Sequence, residues 1–184
     1  MKKVAVLFHD GFEELEALSV VDIMRRANVE CTMVGMDKEV VTSSHQIKIS
    51  MDCVYDNNLD DYDMIVIPGG LPGATNLRDD NRVIELVKRF NENNKFIGAI
   101  CAGPIVLQKA DVIANKTVTC YPGFEDELTS ANYQEALVQV DGNIITGKGP
   151  AAALAFSYTL LEQLGYDSDE LKEGMQYKYL EKNI

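Results

Sequence analysis

Three short apolar runs, Val4-Ala5-Val6-Leu7-Phe8, Met64-Ile65-Val66-Ile67 and Phe96-Ile97-Gly98-Ala99-Ile100, do most to limit the folds open to this chain. Each is strand-length and hydrophobic at consecutive rather than alternate positions, the pattern of a strand buried on both faces. Each gives way to a chain breaker: Asp10-Gly11, Pro68-Gly69-Gly70 and Cys101-Ala102-Gly103-Pro104. Helical stripes fall between them. Residues 13–27 carry Leu15, Leu18, Val21, Ile23 and Met24 with acids in the first turn, residues 80–92 align Val83, Leu86, Val87 and Phe90, and residues 151–164 read as a long apolar helix. Residues 31–36 return to strand, and Val40-Thr42 with Ile47-Met51 reads as a hairpin. The acidic stretch 56–63 reads as a solvated loop. The helix after Cys101 is expected to run to about Lys109. Strands at Thr117-Cys120, near 136–141 and at Ile144-Thr146 are expected to complete the sheet, with one short helix in 168–179. Strand and helix in alternation predict a doubly wound α/β sandwich, whose ligands bind beyond the carboxyl ends of the strands.

With 184 residues, 46% hydrophobic and 25% charged, the chain has enough apolar content for one well-buried domain over 1–184. No apolar run approaches the roughly 18 residues of a membrane span, and Met1-Lys2-Lys3 leads directly into a strand. A cytoplasmic protein with no membrane partner is expected. The cysteines at 31, 53, 101 and 120 lack C-x-x-C spacing and are expected to be reduced. A net charge of -12 without a basic, aromatic-interleaved patch argues against nucleic acid as a partner. Two histidines without a paired ligand motif predict no metal site, and no phosphate-binding or dinucleotide fingerprint calls for a cofactor. Small molecules or a second copy of the chain remain as partners.

The segment Phe96 to Pro104 reads as strand, tight turn and helix, with Cys101 at the bend. Such an elbow aims the sulfur away from the sheet toward unpaired N–H groups, and a helix dipole there is expected to favour the reactive thiolate. The competing reading makes Cys101 a small buried apolar residue. Cys101, Gly69-Gly70 and the Asp10-to-Glu16 turn all follow strands, which gathers three chemically interesting segments on one rim.

A Cys-His pair is the ordinary arrangement for acyl transfer, yet His9 and His45 both lie far upstream. Tyr121 stands after the 117–120 strand, where a helper histidine would be placed, and this disfavours a protease or glutaminase. Glu13 and Glu14 fit a structural role in the first helical turn. Glu16 falls at the edge of the apolar stripe, where a carboxyl can face inward, become neutral and donate a hydrogen bond to a thiolate. A solvated helix glutamate is the alternative.

The segments Gly11-Phe12-Glu13-Glu14-Leu15-Glu16, Asp22-Ile23-Met24-Arg25-Arg26-Ala27, Pro68-Gly69-Gly70, Ala99-Ile100-Cys101-Ala102-Gly103-Pro104 and Gly149-Pro150 resemble, in order, the ThiJ/PfpI superfamily and in particular its DJ-one branch. The resemblance implies a flavodoxin-like three-layer α/β/α sandwich with a mostly parallel central sheet, a homodimer, and a reactive Cys101 hydrogen-bonded to a protonated Glu16. It also implies an oxyanion site from the backbone donors of Gly70 and Ala102. Tyr121-Pro122 departs from the histidine-proline common in that branch, and Ser44-His45 from its serine-arginine, which makes any anion site there weaker and pH dependent. Arg26 matches the second of a family arginine pair and is expected, with Gly69, Tyr121, Pro122 and His45, to border the pocket. The implied activity is cofactor-free, glyoxalase- or deglycase-type conversion of reactive carbonyls. The alternatives are a redox sensor or chaperone with an oxidisable cysteine and, with less support, a peptidase or a thiamine-pathway role.

Overall fold

A computed structural model describes residues 1–183. The chain runs β1 (Lys3–Phe8), α1 (Glu14–Arg26), β2 (Glu30–Gly35), β3 (Val40–Thr42), β4 (Lys48–Ser50), β5 (Cys53–Val54) and β6 (Met64–Ile67). It continues through α2 (Gly73–Asp79), α3 (Asn81–Glu92), β7 (Phe96–Ile100), α4 (Pro104–Lys109), β8 (Thr117–Val118), β9 (Asn132–Tyr133), β10 (Val138–Asp141) and β11 (Ile144–Gly147). Helices α5 (Ala153–Gln163), α6 (Asp169–Gly174) and α7 (Tyr177–Asn183) follow. No helix among the described residues is long and apolar enough to cross a membrane.

The three consecutive-apolar runs become β1, β6 and β7, neighbours in a seven-stranded sheet of order β10-β11-β7-β6-β1-β2-β5. Their side chains are almost wholly buried on both faces, as continuous hydrophobicity requires. All neighbouring pairs are parallel except β10 with β11 at one edge. Helices α1 and α5 pack together on one side, and α2, α3 and α4 on the other. This is the expected α/β/α sandwich. Because β1, β6 and β7 run in one direction, the segments after Phe8, Ile67 and Ile100 open at the same end of the sheet.

The structure departs from expectation in four places. The Thr117-Cys120 segment does not join the central sheet; β8 pairs with β9 instead. Its outward N–H groups are taken by side chains of the β10–β11 hairpin: Thr117 donates to Asp141 at 2.8 Å and Thr119 to Thr146 Oγ1 at 2.9 Å. A helix not expected from the sequence, α2, starts at Gly73, three residues after the Pro68-Gly69-Gly70 breaker, and buries Ala74 and Leu77. Asp80, extended at φ -86 and ψ 110, separates it from α3 and caps α3 through Arg82 N. Leu15 is 59% exposed while Glu14 and Glu16 on the same turn are buried. The tail forms two short helices rather than one.

Candidate active site

Cys101 closes β7 with φ at +63°, a left-handed conformation that costs a non-glycine residue on the order of 1–3 kcal/mol and persists only when its surroundings impose it. Two flanking segments do so. The Cys101 N–H donates to Gly147 O at 2.9 Å, and its carbonyl accepts from Tyr121 N–H at 3.0 Å. The side chain is 8% exposed. Helix α4 beyond it has only six residues, so its dipole is a modest influence.

Glu16 arrives from the first turn of α1. Glu13 caps the helix by accepting the Glu16 N–H at 2.9 Å, while the Glu13 N–H donates to Gly69 O at 3.0 Å. That spacing resembles a capping box, in which the later acid would reach back to the cap. Glu16 instead turns toward the sheet end, fully buried, and its Oε2 accepts the Gly69 N–H at 2.8 Å. Its Oε1 has no hydrogen-bond partner among the described residues. Gly69 lies between the acid and the thiol: a Cβ there would fall 2.6 Å from Cys101 Cβ and 2.7 Å from Glu16 Oε2. Gly70, at φ +84°, brings its own N–H to Cys101, joined by that of Ala102.

Burial pushes the Glu16 carboxyl up to about 7, helped by the charge of Glu13 and opposed by the Gly69 N–H and the Cys101 thiol. Burial also pushes the Cys101 thiol up, followed by the charge and proximity of an ionised Glu16; the N–H groups of Ala102 and Gly70 pull it down. The expected lowering by a helix dipole is therefore outweighed at the isolated thiol. The two groups form one titrating pair. Each group shifts the other: the Cys101 thiol pulls the carboxyl down, and the Glu16 carboxylate pushes the thiol up. A proton placed on Glu16 would remove the carboxylate charge that holds the thiol up.

The remaining predicted residues divide. Tyr121 is 46% exposed and stacks on Gly149, where a Cβ would approach its ring to 3.1 Å; with Pro122 it lines a surface cavity whose walls do not include Cys101 or Glu16. His45 sits at the hairpin tip and pairs with Glu14 Oε1 at 2.9 Å, which raises the imidazole above its usual range. Burial works to raise Glu14, but its own backbone N–H and His45 outweigh it and hold the carboxyl low. Arg26 does not border Cys101 within the chain. It lies at the opposite end of α1 from Glu16, half-exposed, with its Nε 2.8 Å from Asp22. Two further residues position the thiol and the acid: Gly147 through its backbone carbonyl, which residue type does not reveal, and Glu13 through its capping carboxylate and its own N–H.

The sequence profile described as the DJ-1/PfpI family matches residues 2–163. A Danio rerio relative, "Parkinson disease protein 7 homolog", is 38% identical over 173 residues, covering 89% of each chain. YraA of Bacillus subtilis (strain 168), whose name proposes a cysteine protease, is 36% identical over 89% of this chain and 98% of its own. The solved structure "Toxoplasma gondii DJ-1, oxidized" superposes with a TM-score of 0.87 at 34% identity, covering 94% of this chain and 95% of that one.

Proposed function

The chain belongs to the DJ-1/PfpI family, and from that premise we propose that it is a cysteine-dependent, cofactor-free stress-response enzyme converting 2-oxoaldehydes or their adducts to 2-hydroxy acids. The observation that carries this reading is the buried Glu16, raised to about 7, beside a thiol in a strained backbone with two N–H donors. In the reactive state the proton resides on Glu16 and the charge on sulfur, which has the Gly70 and Ala102 N–H groups to stabilise it; Glu16 Oε1 is the oxygen free to carry the proton.

The thiolate attacks the aldehyde carbon, forming a C–S bond and a hemithioacetal oxyanion that meets the Gly70 and Ala102 amides. Glu16 delivers its proton and then, as carboxylate, accepts the former aldehyde hydrogen as a proton. That proton returns to the adjacent carbon, so the aldehyde carbon is oxidised and the ketone carbon reduced within one molecule. Water hydrolyses the resulting thioester to the 2-hydroxy acid and regenerates the thiol. The electrons balance without an external oxidant. Methylglyoxal supplied in large excess to the purified protein should yield lactate over many turnovers, with Cys101→Ser and Glu16→Gln losing the activity. Absence of lactate from the wild type overturns this reading.

A second reading is a redox sensor in which Cys101 is oxidised, supported by the relative solved in an oxidised form. Selective oxidation at Cys101 without carbonyl consumption favours it. The peptidase suggested by the name of the Bacillus relative lacks an imidazole partner: His9 pairs with Asp37 at 3.0 Å, and His45 with Glu14. A homodimer is proposed with the family, and Leu15 and Ile47, exposed apolar residues beside Glu14 and His45, suit such a contact. Light scattering of the purified protein tests it.

A further inference from the structure

Three hydrogen bonds close a ring between the first turn of α1 and the loop after β6. The Glu13 N–H donates to Gly69 O at 3.0 Å, the Gly69 N–H to Glu16 Oε2 at 2.8 Å, and the Glu16 N–H to Glu13 Oε2 at 2.9 Å. Gly70, whose N–H faces Cys101, packs against the same corner: a Cβ there would fall 2.3 Å from Glu13 N. The ring fixes the Glu13 carboxylate beside the backbone of the acid that partners the thiol.

A cap alone does not call for glutamate. Serine, aspartate and asparagine are the residues that best accept such an N–H, whereas a glutamate only 8% exposed brings a charge to a turn that already buries Glu14 and Glu16. No lysine or arginine pairs with Glu13 among the described residues, and the arginines of α1 pair with Asp52 and Asp22. The groups that face its carboxylate are Glu14 and Glu16 from α1 and His45 from the β3–β4 tip, while the Gly69-Gly70 loop offers only backbone. His45 is paired with Glu14 at 2.9 Å and its side chain is 68% exposed, so water screens its charge. The charge of Glu13 therefore reaches Glu16 and adds to the push of burial.

We propose that Glu13 is a positioning residue for the proton of the pair: its carboxylate charge, rather than its capping contact, keeps that proton on Glu16 and leaves the charge on Cys101. The proposal rests on the reading above, in which the proton resides on Glu16 in the reactive state. A negative neighbour makes Glu16 harder to ionise, and a protonated Glu16 spares the thiol the carboxylate that opposes its ionisation. Acting directly on sulfur, the same charge would hold the thiol in its protonated form. The direction of the effect thus reports its route.

Three substitutions at this one position separate charge from cap. Glu13→Asp caps with a charge, Glu13→Ser caps without one, and Glu13→Gln keeps the length and an acceptor oxygen but no charge. The pH dependence of Cys101 alkylation by iodoacetamide is followed by intact mass, with the Cys101→Ser background subtracted and folding checked by circular dichroism. Glu13→Ser and Glu13→Gln should both move the midpoint upward by about half a unit, which slows alkylation at pH 7 about threefold, while Glu13→Asp keeps the wild-type midpoint. The upward shift should vanish when Glu13→Gln is combined with Glu16→Gln. A shift in Glu13→Gln without one in Glu13→Ser is the pattern of a cap and overturns the proposal, as does a downward shift or none; should one neutral variant fail to fold, the other decides against Glu13→Asp. Glu16→Gln alone separates the two claims. A midpoint that rises there but in neither neutral Glu13 variant keeps the shared-proton reading and removes the proposal, whereas a midpoint that does not rise in Glu16→Gln removes both.

Discussion

Cys31 within β2 and Cys101 just past the end of β7 are equally buried, 7% and 8% exposed, yet they differ in backbone conformation and in the groups that face the sulfur. Cys31 lies within β2, where burial pushes its thiol up to about 12 against the pull of Arg25 and with the push of Asp52. It has neither a backbone strain to aim its sulfur nor an acid to exchange a proton with. Cys101 shares the burial, but stands at φ +63° with two N–H groups facing it and a carboxyl that titrates near 7 beside it. Burial alone makes a cysteine inert; burial shared with a second acid makes one proton serve two groups, and the donors then decide where the charge rests.

The largest effect expected from this contrast is on turnover. Cys101→Ser should lower carbonyl conversion by about 10³-fold or more, while Cys31→Ala should retain activity and cost about 1 kcal/mol in urea unfolding. Equal loss in both variants would erase the distinction. Gly69→Ala probes the geometry next, since its Cβ would fall on both Cys101 Cβ and Glu16 Oε2. Displacing the pair by a fraction of an ångström should cost about 10²-fold in kcat/KM, with the fold preserved by circular dichroism; full activity would mean that the close approach is incidental.

A smaller effect appears in stability against pH. Glu16 moves from 4.5 when unfolded to about 7 in the fold, so its contribution is complete below 4.5 and is lost as the pH rises through 7. Wild type should therefore lose up to about 3 kcal/mol relative to Glu16→Gln between pH 4.5 and 8. Cys31, protonated throughout that window, contributes no such slope. Parallel urea-unfolding curves for the two proteins across the range would contradict the burial assigned to Glu16.

What the sequence revealed follows from which forces act locally. The continuous apolar runs identify β1, β6 and β7 because a strand buried on both faces has no polar side to show, and the small residues after Cys101 mark the elbow because only they fit a tight bend. Glu16 was visible as an acid at the edge of an apolar stripe. Leu15 fits that stripe by spacing yet faces solvent, because helical periodicity carries no information that in the first turn of α1 the leucine faces outward and the acids face in. The 117–120 segment has the composition of a sheet strand but stays outside the central sheet, because side chains of Asp141 and Thr146, distant in sequence, take the N–H groups a sheet neighbour would use. Arg26 matches a family arginine pair, but ten residues of helix carry it away from Glu16 within one chain. The direction of the thiol shift depended on burial and on the charge of a residue far upstream, neither of which a local helix-dipole reading contains.

The central claim is that the proton of the pair resides on Glu16 and the charge on Cys101. The pH dependence of Cys101 alkylation, followed by intact mass in wild type and Glu16→Gln, tests it most directly. A wild-type midpoint below the ordinary thiol value of about 8.5 that moves upward in Glu16→Gln is the predicted result, because the variant loses the acid that donates to the sulfur. A midpoint that moves downward in the variant would contradict it, showing that Glu16 is the ionised partner and holds the thiol in its protonated form.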